Sequence, residues 1–391
     1  MMPNAPAFTA IGGVTFQLLT ACNLSCEYCF QDACNVSAAP QSGTGPIVDP
    51  RETAAHAIKF LQLSEQKLGV VFSGGEPLLV PVEWYQTFFQ IMTDYLQASG
   101  KSVEYSIQTN ISILKPEVID LFKQHQVHFS VHYDGLLDDP KLLSRKRRDN
   151  IVTLRRNGFP VTALVVGTTP SLRALPETIA FFQAQGIRFY RLNFVSSEGR
   201  GHQVSQIAPQ LRAEMEFESA FQASQADFAT RETVILNKFN LYYNHVIRGQ
   251  ASNGAPRPQR CLAGIASAYV DTQGLVYPCS FFTHVTGPIT TAQELPACPE
   301  SGARAIERCT TPNAYYDAAC RSCSAQPICG EYCALSPAGD TGSFCAAQRT
   351  LRALMDQHRD LSELIAKRFI AHRLAHPADK PVACGTRTQP Q

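Results

Sequence analysis

The chain has 391 residues, of which 45% are hydrophobic, enough to bury the cores of two or three domains. Lys and Arg total 34 and Asp and Glu total 33, and this balance argues against a broad electrostatic grip on nucleic acid or an anionic membrane. No apolar run reaches the roughly 18 residues of a membrane span. The N-terminus lacks the basic and apolar stretches of a secretory signal, so we expect a cytoplasmic protein.

The 14 cysteines fall into two groups. Four lie near the start of the chain, and the other ten lie between Cys261 and Cys384. In a chain without an export signal, clustered cysteines indicate metal binding or catalysis rather than disulfides.

Between the two groups, apolar β-type runs alternate with helical stretches. We predict strands at 14–20, 69–73, 103–109, 127–132, 161–167 and 188–195. We predict helices at 49–66, 82–98, 116–125, 149–157 and 172–185. Near-continuous apolar strands separated by helices are typical of a parallel sheet covered by helices. The strand count is too low for a closed eightfold barrel, so we predict an α/β fold with a partial (β/α)6 TIM-like barrel.

The rest of the chain has a different composition. Residues 199–250 show no strand signal, and their spaced apolar positions predict bridging helices followed by a linker. Residues 261–345 are rich in Cys, Pro and Gly, so metal would have to hold them together. We therefore predict a partial barrel at 1–198, a helical bridge and linker at 199–258, a Cys-rich domain at 259–346, and a terminal helix (346–373) with a disordered tail within 347–391.

The first motif, Cys22-x3-Cys26-x2-Cys29, follows the first predicted strand. Three thiolates on one loop can hold three irons of a 4Fe–4S cluster and leave the fourth iron open. A zinc loop closed by Cys34 is the alternative. Loops at the carboxyl ends of barrel strands carry the chemistry of such folds, and this favours catalysis.

This motif, with Tyr28 before its last cysteine and Gly74-Gly75-Glu76-Pro77 after the second strand, resembles the radical S-adenosylmethionine (SAM) superfamily over residues 14–195. The resemblance implies that the open iron binds the methionine end of SAM and that a 5′-deoxyadenosyl radical abstracts hydrogen from a substrate. The two glycines would let the backbone approach the ligand. Glu76 would offset the ammonium charge of SAM.

The resemblance implies further cofactor contacts at later strand ends, namely Gln108, Asn110, His132, Arg145, Asn193 and Val195. His132 stands where relatives commonly carry Ser. Arg145 stands where relatives pair an Arg with the cofactor carboxylate, but the basic residues at 146–148 are alternatives, and a solvated helix start is another interpretation.

The second cysteine group also follows a fixed spacing. It reads Cys261-x12-Gly274-x4-Cys279, then Cys320-x2-Cys323-x5-Cys329-x3-Cys333, and finally Cys345. The pattern resembles the SPASM domain, which holds two auxiliary iron–sulfur clusters in peptide- and protein-modifying radical enzymes. A pair of zinc ribbons is the alternative.

The resemblance implies three 4Fe–4S clusters in all. The outer auxiliary cluster would take Cys320, Cys323, Cys329 and Cys345, and the inner one Cys261, Cys279 and Cys333. Because no fourth inner ligand is marked, we predict an open or weakly ligated iron, with Cys298 and Cys309 as rival ligands. The simplest interpretation of each of those two, and of Cys34 and Cys384, is a free thiol.

The segment that ends at Cys279 resembles sulfatase-maturating enzymes, which continue with an Asp thought to take the substrate proton. Here Ser280 follows, and a hydroxyl is a poor general base unless another group activates it. No general base is therefore identified. Our leading hypothesis is a maturase that cross-links side chains of a ribosomally made precursor peptide with loss of two hydrogens. The alternatives are a sulfatase or other protein maturase that oxidises Cys or Ser to formylglycine, and a non-enzymatic metal-binding interaction module.

The expected partners are the precursor peptide and an external electron donor of the flavodoxin or ferredoxin type, without nucleic acid or membrane. Only 21 residues precede Cys22, too few for the winged-helix domain with which many peptide maturases grip a leader. Either a separate leader-binding protein acts, or residues 199–250 and the sheet edge bind the leader, and we favour direct binding.

Overall fold

The structure is a computed structural model that describes residues 11–29, 46–133, 143–195, 201, 207–225, 231–250, 263–264, 266–280, 283, 288–295, 323–329 and 338–375. Its strands are β1 (Gly13–Gln17), β2 (Lys67–Ser73), β3 (Ser102–Thr109), β4 (His128–His132), β5 (Val161–Gly167), β6 (Phe189–Phe194), β7 (Arg231–Glu232), β8 (Ser267–Val270), β9 (Leu275–Tyr277) and β10 (Thr290–Thr291). Its helices are α1 (Pro50–Leu63), α2 (Val82–Ser99), α3 (Pro116–Gln124), α4 (Leu143–Arg156), α5 (Thr169–Arg173), α6 (Leu175–Ala184), α7 (Pro209–Gln225), α8 (Thr233–Tyr242), α9 (Ala338–Gln357) and α10 (Arg359–Ala375).

Strands β1 to β6 are parallel and lie side by side in chain order, with a helix or helix pair between successive strands. This arrangement confirms the predicted α/β partial barrel. The first strand ends at Gln17 rather than at residue 20, because the backbone that follows pairs with the loop after β2. The amide of Leu18 donates to the Ser73 carbonyl at 2.9 Å, and the amide of Gly75 donates to the Leu19 carbonyl at 2.9 Å.

The sheet extends beyond the six predicted strands at both edges. At one edge β8 pairs parallel with β1, and β9 and β10 follow as antiparallel strands. At the other edge β7 pairs with β6, so the prediction of no strand within 199–250 is wrong at Arg231–Glu232. Lys59 of α1 donates to the carbonyls of Ala292 and Gln293 at 3.3 and 2.7 Å. Strands β8 to β10, from the first part of the Cys-rich region, therefore share one sheet with the barrel.

Three helical predictions need correction. Helix α4 begins at Leu143, well before residue 149. The stretch predicted as one helix at 172–185 is the pair α5 and α6, because Pro176 has no N–H to continue the first helix. The terminal helix is likewise two helices, α9 and α10, and the Ser362 hydroxyl donates to the Met355 carbonyl near the break. The predicted disordered tail lies mostly outside the described residues.

An aromatic cluster fixes the second strand against α2. The ring of Phe72 lies 5.1 to 6.0 Å from those of Trp84, Tyr85, Phe88 and Phe89, mostly edge to face. All five side chains are buried, and each contributes about 1.5–3 kcal/mol from removal of apolar area from water. This packing holds the carboxyl end of β2, where the next loop begins.

A buried ion cluster joins α7 and α8. The Glu216 carboxylate contacts Lys238 at 2.7 Å and Arg212 at 3.2 Å, and the Glu216 and Lys238 side chains are 1% and 4% exposed. Burial by itself would raise the pKa of Glu216, but the two cations hold it below its ordinary value. No helix in the described ranges is long and apolar enough to cross a membrane.

Lys238→Met is expected to lower the free energy of unfolding by roughly 3–5 kcal/mol, because it leaves a buried carboxylate without its closest cation. Urea unfolding measures the change. The matched control is Lys367→Met, which removes a 56% exposed lysine paired with Glu363 and is expected to leave the free energy of unfolding nearly unchanged. Equal losses in the two variants would contradict the argument.

Candidate active site

The first cysteine loop leaves the carboxyl end of β1. Cys22, Cys26 and Cys29 are all half-buried, and the amide of Cys29 donates to the Cys26 carbonyl at 3.2 Å. The Cys22 sulfur accepts from the amide of Leu24 at 3.4 Å. Tyr28 is half-buried in the same turn, and Cys34 lies outside the described residues. Three thiols on one loop are the donor set that an iron–sulfur cluster takes.

The loop after β2 lies directly against the chain that leads into Cys22. The amide of Glu76 donates to the Ala21 carbonyl at 2.9 Å. A Cβ placed on Gly75 would lie 2.0 Å from the Ala21 carbonyl oxygen. One on Gly74, whose φ is +134°, would lie 2.4 Å from that of Leu19. The glycines therefore have a structural role in addition to the expected one, since they admit the chain's own backbone.

Glu76 is fully buried at the floor of this loop. Its Oε1 accepts from the Leu78 amide at 2.9 Å and from the Thr109 hydroxyl at 2.7 Å, and its Oε2 accepts from the Asn110 amide at 2.8 Å. Burial raises the pKa of Glu76 to about 6, although these hydrogen bonds and the charge of Arg147 oppose the rise. The carboxylate is thus oriented by β3 and mostly ionised at pH 7.

Asn110 connects the end of β3 to the cysteine loop. Its Nδ2 donates to Asn23 Oδ1 at 3.0 Å and lies 3.9 Å from the Cys22 sulfur. Asn23 Nδ2 in turn donates to Ser112 Oγ at 2.8 Å, and the Ser112 amide donates to Asn110 Oδ1 at 2.9 Å. Asn23 and Ser112 were missed from the sequence. The only sequence signal was Asn-x-Ser directly after β3, which is typical of an Asx turn.

The structure separates the candidate arginines of α4. Arg145 is exposed, whereas Arg147 is only 9% exposed. Arg147 Nε donates to the Asn110 carbonyl at 2.9 Å, and another of its N–H groups donates to the His132 carbonyl. Arg147 therefore links the ends of β3 and β4, the position expected of Arg145.

The other predicted cofactor contacts lie along the carboxyl ends of the strands. Gln108 Oε1 accepts from the Ser73 hydroxyl at 3.3 Å. His132 ends β4, Asn193 lies near the end of β6, and Val195 follows β6; all three are half-buried. The structure thus brings these positions to the same edge of the sheet as Cys22.

The second cysteine group is only partly described. Cys323 and Cys329 lie on one loop and Cys345 lies on α9, and Arg352 of α9 donates to the Ser324 carbonyl at 3.1 Å, which ties that loop to the helix. Cys279 follows β9, beside the buried pair Tyr269 and Tyr277. Outside the described residues lie Cys261, Cys298, Cys309, Cys320, Cys333 and Cys384.

Among the residues that the structure describes, no three His, Cys, Asp or Glu side chains converge as they would around a single metal ion. The outer set has three of its four predicted ligands on two segments that touch each other. In both groups the donors present are thiols, which are the ligands that iron–sulfur clusters take.

A parallel half-barrel whose first loop carries CxxxCxxC, with a buried glutamate on the second loop, is the arrangement that the resemblance to the radical SAM superfamily predicts. Residues 16–182 match the sequence profile of the Radical SAM superfamily. These residues are similar to the radical SAM domain, and they make up less than half of the chain.

Relatives extend the likeness beyond this domain. A cysteine-type anaerobic sulfatase-maturating enzyme of Clostridium novyi (strain NT) is 24% identical over 337 residues, 80% of this chain and 84% of the relative. Native anSMEcpe with bound AdoMet and Cp18Cys peptide superimposes with a TM-score of 0.69 at 14% identity, covering 92% of this chain and 99% of that one. Streptococcus suis SuiB bound to precursor peptide SuiA has a TM-score of 0.58 at 13% identity, with 84% and 73% covered. At these identities the structural matches establish the fold.

Proposed function

We propose that this chain is a radical SAM enzyme, a SPASM-type peptide maturase that forms an intramolecular side-chain cross-link in a ribosomally made precursor peptide, with loss of two hydrogens. The observation that carries the proposal is the placement of the Cys22–Cys29 loop against the buried Glu76 carboxylate, in a chain with a second cysteine group. The likeness to maturases whose structures hold peptides supports a peptide substrate.

Each group at the carboxyl edge has a role in this proposal. Cys22, Cys26 and Cys29 would hold a 4Fe–4S cluster, which supplies the electron that cleaves S-adenosylmethionine to the hydrogen-abstracting 5′-deoxyadenosyl radical. Glu76 would bind the cofactor ammonium group, and its three hydrogen bonds fix the carboxylate before the ligand arrives. Asn110 would fix the cysteine loop, and Arg147 is the candidate partner for the cofactor carboxylate.

The two auxiliary clusters remain part of the proposal. Cys320, Cys323, Cys329 and Cys345 would hold the outer cluster, and Cys261, Cys279 and Cys333 the inner one. These clusters would accept the electron that is left after radical coupling. An external donor of the flavodoxin or ferredoxin type would reduce the first cluster, and the leader would bind directly or through a separate protein.

Sulfatase or protein maturation is the second candidate, because the sequence likeness to a sulfatase-maturating enzyme spans most of both chains. Ser280 argues against it. Its side chain is a hydroxyl where the expected base is a carboxylate, and its backbone carbonyl accepts hydrogen bonds from the amide and hydroxyl of Thr283, at 3.3 and 2.7 Å. Oxidation of Cys or Ser to an aldehyde needs a base to take the substrate proton.

Two measurements test the proposal. Anaerobically reconstituted protein with SAM and reductant is expected to form 5′-deoxyadenosine, and its absence with intact clusters would contradict the radical step. Co-expression with the short peptide encoded beside the gene is expected to yield a product lighter by two hydrogens. Because oxidation of Ser to an aldehyde also removes two hydrogens, fragmentation must locate the change. A change confined to one Ser or Cys would support the second candidate.

The affinity for SAM is expected to fall about tenfold between pH 7 and pH 5. The pKa of Glu76 is raised to about 6, so the carboxylate that would bind the ammonium group is mostly ionised at pH 7 and mostly protonated at pH 5. Equilibrium binding to the reconstituted enzyme across this range measures the effect. Glu76→Gln is the control, expected to bind weakly at every pH. A wild-type affinity that does not change with pH would contradict this role.

A further inference from the structure

The inner face of the half-barrel carries a row of polar side chains. Residues paired in register on adjacent parallel strands point to the same face. A continuous row of this kind crosses β1 to β5. It consists of the register pairs Gln17–Ser73, Gln108–Ser130 and Ser130–Thr162. The hydrogen bond from the Ser73 hydroxyl to Gln108 joins the first pair to the second. The interior of a closed barrel is filled instead by Val, Ile and Leu. This face is therefore suited to a polar ligand rather than to a packed apolar core.

A second row lies nearer the carboxyl edge and contains a cation. The register places His132 beside Leu164 and Leu164 beside Arg191. Tyr190 and Leu192, on either side of Arg191 in β6, are buried, and the Tyr190 hydroxyl lies 2.5 Å from Ser219 Oγ of α7. Because side chains alternate along a strand, Arg191 points away from the helices and into the half-barrel, where it is exposed.

Arg191 has no counterion among the described residues of this face. In the part of the chain that the structure describes, it makes no hydrogen bond, ion pair or ring contact. Glu104 lies at the amino end of the same face and is already paired with Lys67 at 2.5 Å. Glu76 is held by its own three hydrogen bonds. An exposed guanidinium that has no partner among the described residues can bind a carboxylate through two parallel N–H···O hydrogen bonds.

We propose that Arg191 binds an Asp or Glu side chain of the substrate peptide, with the polar row contacting the peptide beside it. This inference rests on the proposed peptide substrate. The carboxylate of SAM and the C-terminal carboxylate of a peptide share the chemistry of an Asp or Glu side chain. The test must therefore separate these three sources of the carboxylate that Arg191 binds.

The test uses the reconstituted enzyme with SAM and an equimolar pool of two peptide libraries. Both libraries have N-acetylated and C-amidated ends and the same acid-free random flanks, and they differ only in a central Glu or Gln. Retained peptides are counted by mass spectrometry after ultrafiltration. We expect about tenfold enrichment of the Glu library by the wild type, and a ratio near one for Arg191→Gln.

Arg156→Gln is the matched control, since it removes the same charge from an exposed position on α4. It is expected to keep the wild-type enrichment. No enrichment by the wild type, or equal enrichment by Arg191→Gln, would overturn the proposal. An equal loss in Arg156→Gln would also overturn it, because net charge would then explain the effect.

The remaining source is the carboxylate of SAM itself, and the affinity for SAM in the absence of peptide tests it. We expect it to be the same within twofold in the wild type and in Arg191→Gln. A large loss of SAM affinity in that variant would assign Arg191 to the cofactor carboxylate and overturn the proposal. Formation of 5′-deoxyadenosine by the wild type is measured in parallel. Its failure would count against the proposed function, whereas library retention without discrimination counts only against the role of Arg191.

Discussion

Replacing Cys22, Cys26 and Cys29 together by Ala is expected to abolish SAM cleavage while much of the auxiliary-cluster absorption survives. The three thiols lie on one loop after β1, and the described cysteines of the second group lie on other segments. Iron content, visible absorption and 5′-deoxyadenosine formation measure the effect. Residual cleavage well above background would contradict the assignment of this loop.

The contrasting variant replaces Cys320 and Cys323 by Ala. Here we expect damage to folding, because metal binding in a Cys-rich segment is folding free energy. Cys323 lies on the loop that Arg352 ties to α9, so loss of this loop would also loosen α9. An equally soluble, iron-replete Cys320/Cys323 variant would count against the auxiliary-cluster assignment.

Gly75→Ala is expected to lower the rate of SAM cleavage by roughly a hundredfold or more. The added Cβ would lie 2.0 Å from the Ala21 carbonyl oxygen, and backbone atoms cannot approach so closely. Either the chain before Cys22 or the Glu76 loop must move by an ångström or more, and a displacement of this size at reacting groups costs about a hundredfold in rate. Single-turnover SAM cleavage by the reconstituted variant measures the loss.

Gly12→Ala is the control for this variant. Gly12 lies just before β1, and a Cβ placed on it would lie 3.6 Å from the nearest atom, the Ala266 carbonyl oxygen. That separation is ordinary van der Waals contact, so we expect near-normal cleavage. Similar activity of the two variants would contradict the steric argument.

The sequence by itself determined the elements and the reactive groups. Strands β2 to β6 lie where alternation of apolar runs and helical stretches predicted them, because periodicity is a local property of the chain. The cysteine spacings and the Gly-Gly-Glu run resemble the radical SAM superfamily closely enough to predict the domain that the family profile matches at residues 16–182.

Only the tertiary structure decided how these groups support one another. Arg147 rather than Arg145 reaches the strand ends, because the start and rotation of α4 decide which of four consecutive basic residues is buried. The bond from Asn23 to Ser112 joins residues 89 positions apart. The two glycines are needed because the chain before Cys22 passes over them, and Arg191 lies on the inner face of the half-barrel because of the register of β6. Each of these facts depends on the paths of two distant segments in space, and no local pattern in the sequence encodes such a path.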